Sequence, residues 1–337
     1  MPEERLELSW VAPHDFESCA YTISPLRRNV YNTPAMAKKQ KVLILVGPTS
    51  SGKSALAVEL ARKFDGEVIS ADSRQVYRGL NIGTGKITKR EMRGVRHHLL
   101  DIASPKKVFT AHDFLNDARR AIFDINTRGK LPLIVGGTGF YIDALVGRIT
   151  LPDVPANQKL RARLQKKTTA QLFEHLKKVD ARRAHSMNSA SERNNKVRLI
   201  RAIEIAEVLG KNPISRMKPG YNCLWIGIAP PKKELEKKIT IRLFGRISRG
   251  MVAEAKRLRA GGLSYKRMKQ LGLEYRSLAW HVQGKISRQE MVGELDRDIR
   301  HYAKRQMRYW KRNKKIKWFK PSEQNQITRL VYAWVKE

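Results

Sequence analysis

The sequence predicts an α/β fold, a doubly wound parallel sheet with an inserted helical domain, and three observations predict it. From Lys41 to about residue 150, short apolar β-branched runs alternate with amphipathic stretches, the pattern of strands joined by helical crossovers. The first run, Val42 to Val46, empties directly into Gly47-Pro48-Thr49-Ser50-Ser51-Gly52-Lys53-Ser54, a G-x-x-x-x-G-K-S loop that makes the sheet P-loop NTPase-like. At Leu151-Pro152-Asp153-Val154-Pro155 the alternation stops, and residues 151–210 become helix-forming, charge-rich and without a strand pattern.

Taken in order, Ala55 to Phe64 carries apolar residues at Leu56, Leu60, Ala61 and Phe64, a helical stripe for packing on a sheet, and Gly66 stops it. Val68-Ile69-Ser70 reads as a second strand that delivers Asp72 at its carboxyl end, followed by a polar, glycine-rich loop. His98 to Ile102 reads as a third strand, Ala111 to Thr127 as an amphipathic helix and Leu131 to Val135 as a fourth strand. That strand enters Gly136-Gly137-Thr138-Gly139-Phe140-Tyr141 and a helix through Val146. After the helical insertion, Cys223 to Ala229 returns to the sheet, Pro230-Pro231 opens one long basic helix through Leu258, and two further helical stretches follow.

The predicted domains are therefore an extension over residues 1–40, weakly ordered and with Met36 as a candidate true start, a core over 41–150 and 211–337, and the insertion over 151–210. Lys plus Arg number 68 against 31 Asp plus Glu, a net charge of +37 over 337 residues, so the surface repels itself unless it meets a polyanion; nucleic acid is the natural partner. Basic residues interleaved with Tyr302, Tyr309 and Trp310 add stacking faces, although a helix packing those aromatics into the core explains them equally well. The two cysteines, Cys19 and Cys223, lack zinc or disulfide spacing, which fits a reducing cytoplasm. No apolar run approaches the roughly 20 residues that span a bilayer, and residues 1–35 carry no signal-peptide core.

The loop Gly47 to Ser54 is the chemical centre. Its glycines let successive backbone N–H groups converge on phosphate oxygens at the start of a helix. Lys53 supplies a point charge, and Ser54 offers a hydroxyl to Mg²⁺. Nucleotide hydrolysis would want an acid at a strand end to hold that metal, but the fourth strand ends in Gly136-Gly137; Asp101 is a possible substitute. Asp72 stands beside the loop by topology, since ligands of such sheets gather at strand carboxyl ends. The cradle then holds a diphosphate leaving group, with Asp72 accepting a proton from the nucleophile, or Asp72 is a helix cap or part of the metal shell. Thr138 reads either as a ligand contact or as a cap, and Arg242 as a leaving-group cation or part of a solvated basic face. His97-His98 lacks a third metal ligand at suitable spacing.

At these residues the chain resembles the tRNA dimethylallyltransferases, or tRNA isopentenyltransferases, of bacterial type. The resemblance is carried by GPTSSGKS, VISADSRQVYRGLNIGTGK, HHLLDIASP, LIVGGTGFYIDAL, RLIRAIEI, ITIR, YAKRQMRYWKR and Lys317-Trp318-Phe319, in family order from Lys41 to Phe319. It implies transfer of the dimethylallyl group from dimethylallyl diphosphate to the exocyclic amine of the adenosine on the 3′ side of the tRNA anticodon. By the resemblance, the loop from Gly47 through Pro48, Thr49, Ser50, Ser51, Gly52 and Lys53 to Ser54 holds the diphosphate. Asp72 takes the amine proton, and Arg242 and Lys53 stabilise the leaving group. The tRNA anticodon stem-loop is contacted by Asp72, Ser73, Arg74 and Gln75, by Thr138, by Val197, Arg198, Leu199, Ile200 and Arg201, and by Lys269, Gln270, Leu271, Gly272, Leu273 and Glu274. Mg²⁺ on Ser54 is the expected cofactor, and a cytoplasmic monomer the expected form. Two departures stand out: Lys238 replaces an arginine one turn before Arg242, and Gly272 to Arg276 reads GLEYR rather than GYKE. An isopentenyltransferase of free adenine nucleotides would share the loop and the aspartate without needing the insertion or the charge. A P-loop kinase or NTPase with nucleic-acid affinity would share the loop alone.

Overall fold

A computed structural model describes residues 39–187, 189–213 and 220–337. The expected extension, apart from its last two residues, and the Met36 start lie outside the described residues. Six strands, β1 (Lys41–Val46), β2 (Gly66–Ser70), β3 (His97–His98), β4 (Leu131–Gly136), β5 (Asn222–Ile228) and β6 (Lys317–Phe319), form one parallel sheet in the order β3-β2-β4-β1-β5-β6. The pairing is level at the carboxyl edge: Val46 sits opposite Gly136, and Ser70 opposite Val135. The chain segments leaving β1, β2 and β4 therefore emerge side by side.

Alternation along β1 feeds two cores. Val42, Ile44 and Val46 pack with Phe114 and Ile122 of α3 (Ala111–Thr127), with Tyr141 of α4 (Gly139–Leu145) and with Trp310. Leu43 and Leu45 pack on the other face with Leu56 and Leu60 of α1 (Lys53–Lys63) and with Val331 and Trp334 of the last helix. Period-two alternation of side chains places these two sets on opposite faces. A short helix α2 (Lys89–Met92), closed by a Thr88–Glu91 capping box, lies in the long loop after β2.

The insertion is five helices with their own core: α5 (Gln158–Gln165), α6 (Thr169–Val179), α7 (Ala181–Ser186), α8 (Ala190–Arg193) and α9 (Lys196–Leu209). Its anchor is Glu204, fully buried, which accepts hydrogen bonds from the Asn157 N–H at 2.7 Å and from Arg161 at 2.6 and 2.9 Å, and pairs also with Arg201. Burial alone would raise this carboxyl, but the two guanidiniums and the amide hold it down at about 2.

The C-terminal half departs from the sequence reading in two ways. The single long basic helix is two, α10 (Lys232–Ser248) and α11 (Met251–Ala260), because Gly250 takes φ 93° between them. Four helices rather than two then follow: α12 (Tyr265–Leu271), α13 (Leu273–Val282), α14 (Arg288–Trp310) and α15 (Gln324–Lys336), with β6 between the last two. Nor does a third strand run from His98 to Ile102. It is a two-residue pairing of His97 and His98 with β2, and Leu99 and Asp101 turn away with φ 63° and 54°. Helices α10 to α14 enclose a further core with Val76, Tyr77 and Leu80 of the loop after β2, and so press that loop against the sheet edge. No helix among the described residues is long and apolar enough to cross a membrane.

Candidate active site

The three segments leaving β1, β4 and β2 converge on one cleft with α10, the start of α13 and α14 as its far wall. Because α1 starts at Lys53 and the first bond into its helical ladder runs from Leu56 N–H to Gly52, the Gly52, Lys53 and Ser54 N–H groups have no acceptor among the described residues. They lie at the positive end of α1. Ser51 Oγ is buried there without a partner. Lys53 Nζ donates to the Pro48 carbonyl at 3.0 Å. Its ammonium is lowered to about 8, first by burial and then by Arg242, against the attraction of Asp72.

Asp72 lines the same cleft two residues after β2. Its Oδ1 accepts the N–H groups of Arg74 and Gln75 at 2.8 and 3.3 Å, an Asx turn that fixes the carboxylate and commits only one oxygen. No helix starts at Asp72, so it pins a turn rather than capping a helix, and the turn leaves Oδ2 for chemistry. Thr138, in the turn after β4, accepts the Ser73 N–H on Oγ1 at 3.1 Å and donates its own N–H to the Ala71 carbonyl at 3.2 Å. Thr138 is therefore a bracket between the two loops.

Arg242 comes from α10. Its guanidinium donates to the Gly85 carbonyl at 2.7 Å, and its pKa is lowered, first by desolvation and then by Arg246. One turn on, buried Arg246 bonds the Gly83 carbonyl at 2.6 Å and pairs with Glu274 at 2.9 Å. The same loop is gripped from below by buried Glu254, which accepts the N–H groups of Asn81, Ile82 and Gly83 at 2.7–3.0 Å and the Tyr275 hydroxyl at 2.7 Å. Arg246, Glu254 and Gln306 escape sequence reading; the available signal was a polar residue on the apolar stripe of a helix.

Of the residues expected at the site, Thr49, Lys53, Ser54, Asp72, Arg74, Gln75, Arg242, Leu273 and Glu274 line the cleft. The bracket residue Thr138 stands beside it through Ser73. The segment Val197 to Arg201 lies apart, on α9 of the insertion. There Val197 and Arg198 are exposed, whereas Leu199 and Ile200 are 0% and 5% exposed in the insertion core, and Arg201 is tied to Glu204. Burial likewise turns the Leu271 side chain away from any polyanion, while Lys269 and Gln270 are partly or fully exposed. Among these, Leu199, Ile200 and Leu271 do not qualify as side-chain contacts: an aliphatic group in a closed core cannot reach a phosphate. Asp101 does not take the metal-holding role either; it faces solvent in an ion pair with Lys86 and lies outside the cleft. Lys238, in the place of the expected arginine, pairs with Glu234 on its own helix.

The described residues contain no cluster of three or more His, Cys, Asp or Glu side chains for a metal. Mg²⁺ needs no such cage, since it is commonly held by one or two protein oxygens together with substrate phosphates. The exposed Ser54 hydroxyl at the cradle fits that role.

Fold and cleft together define the class: an α/β chain of P-loop-like fold with a phosphate-loop cleft at the carboxyl edge of its sheet. Residues 75–313 match the family model described as IPP transferase. The chain is 40% identical to tRNA dimethylallyltransferase 2 of Treponema denticola, over 83% of this chain and 95% of that protein. It is 38% identical to tRNA dimethylallyltransferase of Carboxydothermus hydrogenoformans, over 83% and 92%. Among solved structures it resembles the full-length tRNA isopentenylpyrophosphate transferase of Bacillus halodurans, at 33% identity and TM-score 0.66, covering 88% of this chain and 96% of that one. A eukaryotic dimethylallyltransferase acting on tRNA shares the fold at TM-score 0.69 and 24% identity, over 83% and 74%. The chain belongs to the IPP transferase family, and these bacterial relatives are tRNA dimethylallyltransferases.

Proposed function

We propose that this chain transfers the dimethylallyl group of dimethylallyl diphosphate to the exocyclic amine of the adenosine on the 3′ side of a tRNA anticodon, releasing diphosphate. The observation that carries the reading is one cleft holding a phosphate cradle, a carboxylate, Asp72, with one uncommitted oxygen beside a Glu274 already paired to Arg246, and an opposing arginine. In the reaction the allylic C–O bond breaks with its electron pair leaving on the diphosphate, a C–N bond forms, and the amine proton passes to Asp72 Oδ2.

The loop amides, Lys53 and Arg242 are aimed where negative charge accumulates as that C–O bond opens, so they act most strongly in the transition state. When bound at Ser54, Mg²⁺ would neutralise further phosphate charge. An adenosine stacked in the anticodon loop cannot reach Asp72 unless it is extruded, and the cleft side of Leu273, Ile299 and Tyr302 offers an apolar and aromatic wall for it. The exposed cations of the insertion, Arg198 among them, supply backbone contacts with the anticodon stem-loop. The reading takes the chain to act on tRNA in the cytoplasm.

Mass analysis of tRNA nucleosides from cells with and without the gene tests this. Loss of the prenylated adenosine in the deletion supports it, and an unchanged nucleoside profile contradicts it.

A further inference from the structure

Helix α14 turns a polar side chain into its own apolar stripe. Gln306 follows Ile299 and Tyr302 along the cleft wall and is only 5% exposed. Both ends of its amide are used. Oε1 accepts the Thr49 N–H of the phosphate loop at 2.8 Å, and Nε2 donates to the Gly137 carbonyl at 3.2 Å. Gly137 is required for that approach, because a Cβ there would stand 1.9 Å from Nε2.

From Gly137 the connection continues through the next residue, Thr138, whose Oγ1 holds the N–H of Ser73, the neighbour of Asp72. One hydrogen-bonded arc thus runs from the leaving-group cradle to the proton acceptor, and Gln306 is its only member from the C-terminal helices. A misplacement of about 1 Å can cost on the order of a hundredfold in rate, so a tie between the two reacting ends has kinetic weight.

We propose that Gln306 is a positioning residue that fixes the separation between the diphosphate cradle and Asp72. The inference rests on the function proposed above for this cleft. Gln306→Met keeps the side-chain length and removes both hydrogen bonds. Gln306→Glu keeps the acceptor for Thr49 but sets a carboxylate oxygen against the Gly137 carbonyl. Two measurements are made on each full-length variant and the parent: amide hydrogen exchange at Thr49 and Ser73 in the free protein, and steady-state prenyl transfer to tRNA.

In Gln306→Met, exchange at both amides should rise, and kcat should fall about 10- to 100-fold while KM for each substrate stays within about threefold. Gln306→Glu should keep Thr49 protected yet still loosen Ser73. Unchanged exchange at Ser73 overturns the proposal whatever the activity, because the arc would then end at Gln306. A kcat loss matched by weaker binding of a diphosphate analogue also overturns it, since Gln306 would be a ligand contact. If the parent protein transfers no prenyl group while Ser73 still responds, the reading of the reaction fails and the tie itself stands.

Discussion

Asp72 Oδ1 accepts the backbone N–H of Arg74 at 2.8 Å, so the carboxylate that faces the cleft is also the pin of its own loop. Asp72→Ala would remove both roles at once. Asp72→Asn keeps an oxygen for the turn and removes the proton acceptor. It should lower kcat about 10²- to 10⁴-fold while leaving the affinity for a non-reacting allylic diphosphate within about threefold. Single-turnover kinetics with calorimetric binding check this, and near-normal turnover would make Asp72 purely structural.

Lys53 sets a pH dependence of binding. Its ammonium sits at about 8 in the free cleft, lowered by burial and Arg242, and a bound diphosphate favours the charged form. Binding therefore takes up a proton above pH 8 and none well below it. Affinity for an allylic diphosphate analogue should be flat from pH 6 to 7.5 and fall by up to about tenfold per pH unit above 8. Lys53→Met should bind more weakly and lose that slope; a slope that survives the substitution belongs to another group.

Much of the cleft was legible because its parts are local. A phosphate loop is a contiguous string, and Asp72 and Thr138 each follow a strand whose apolar run is plain. The strand placed at His98 to Ile102 was misread because Leu99 and Asp101 take left-handed backbone conformations that composition does not announce. The three-residue β6 is too short to show a period, and the break at Gly250 rests on one glycine among strong helix formers. Gln306, Arg246 and Glu254 act at ranges of about 160 residues or more, where no spacing rule reaches. Buried Leu199, Ile200 and Leu271 show the converse limit: a motif segment carried over whole includes side chains that helical periodicity turns inward.

Glu204 holds the insertion together. Its folded pKa, about 2, lies below the ordinary value of 4.5, so its contribution is complete above pH 4.5 and is lost as pH falls toward 2. Glu204→Gln at neutral pH should destabilise the insertion by about 2–3 kcal/mol, less than the roughly 3–5 of a fully buried pair, because Arg161 and Arg201 are 37% and 31% exposed. Denaturant melts at pH 7 and pH 3 check both statements; the difference between variant and parent should narrow at the lower pH, with full convergence only near pH 2.

The charge excess predicts a steep salt response. Affinity for an anticodon stem-loop should fall with a log–log slope of several units between about 50 and 200 mM salt, and Arg198→Ala should reduce that slope by roughly one. Filter binding across a salt series measures it. A flat response would separate the charge of +37 from RNA binding.

The most direct measurement incubates the purified chain and Mg²⁺ with unmodified tRNA, dimethylallyl diphosphate labelled in its allyl group, and ATP. The account predicts label incorporated into tRNA at one adenosine beside the anticodon, with one diphosphate released per group transferred and ATP unchanged. Steady cleavage of ATP with no label in the tRNA would contradict it.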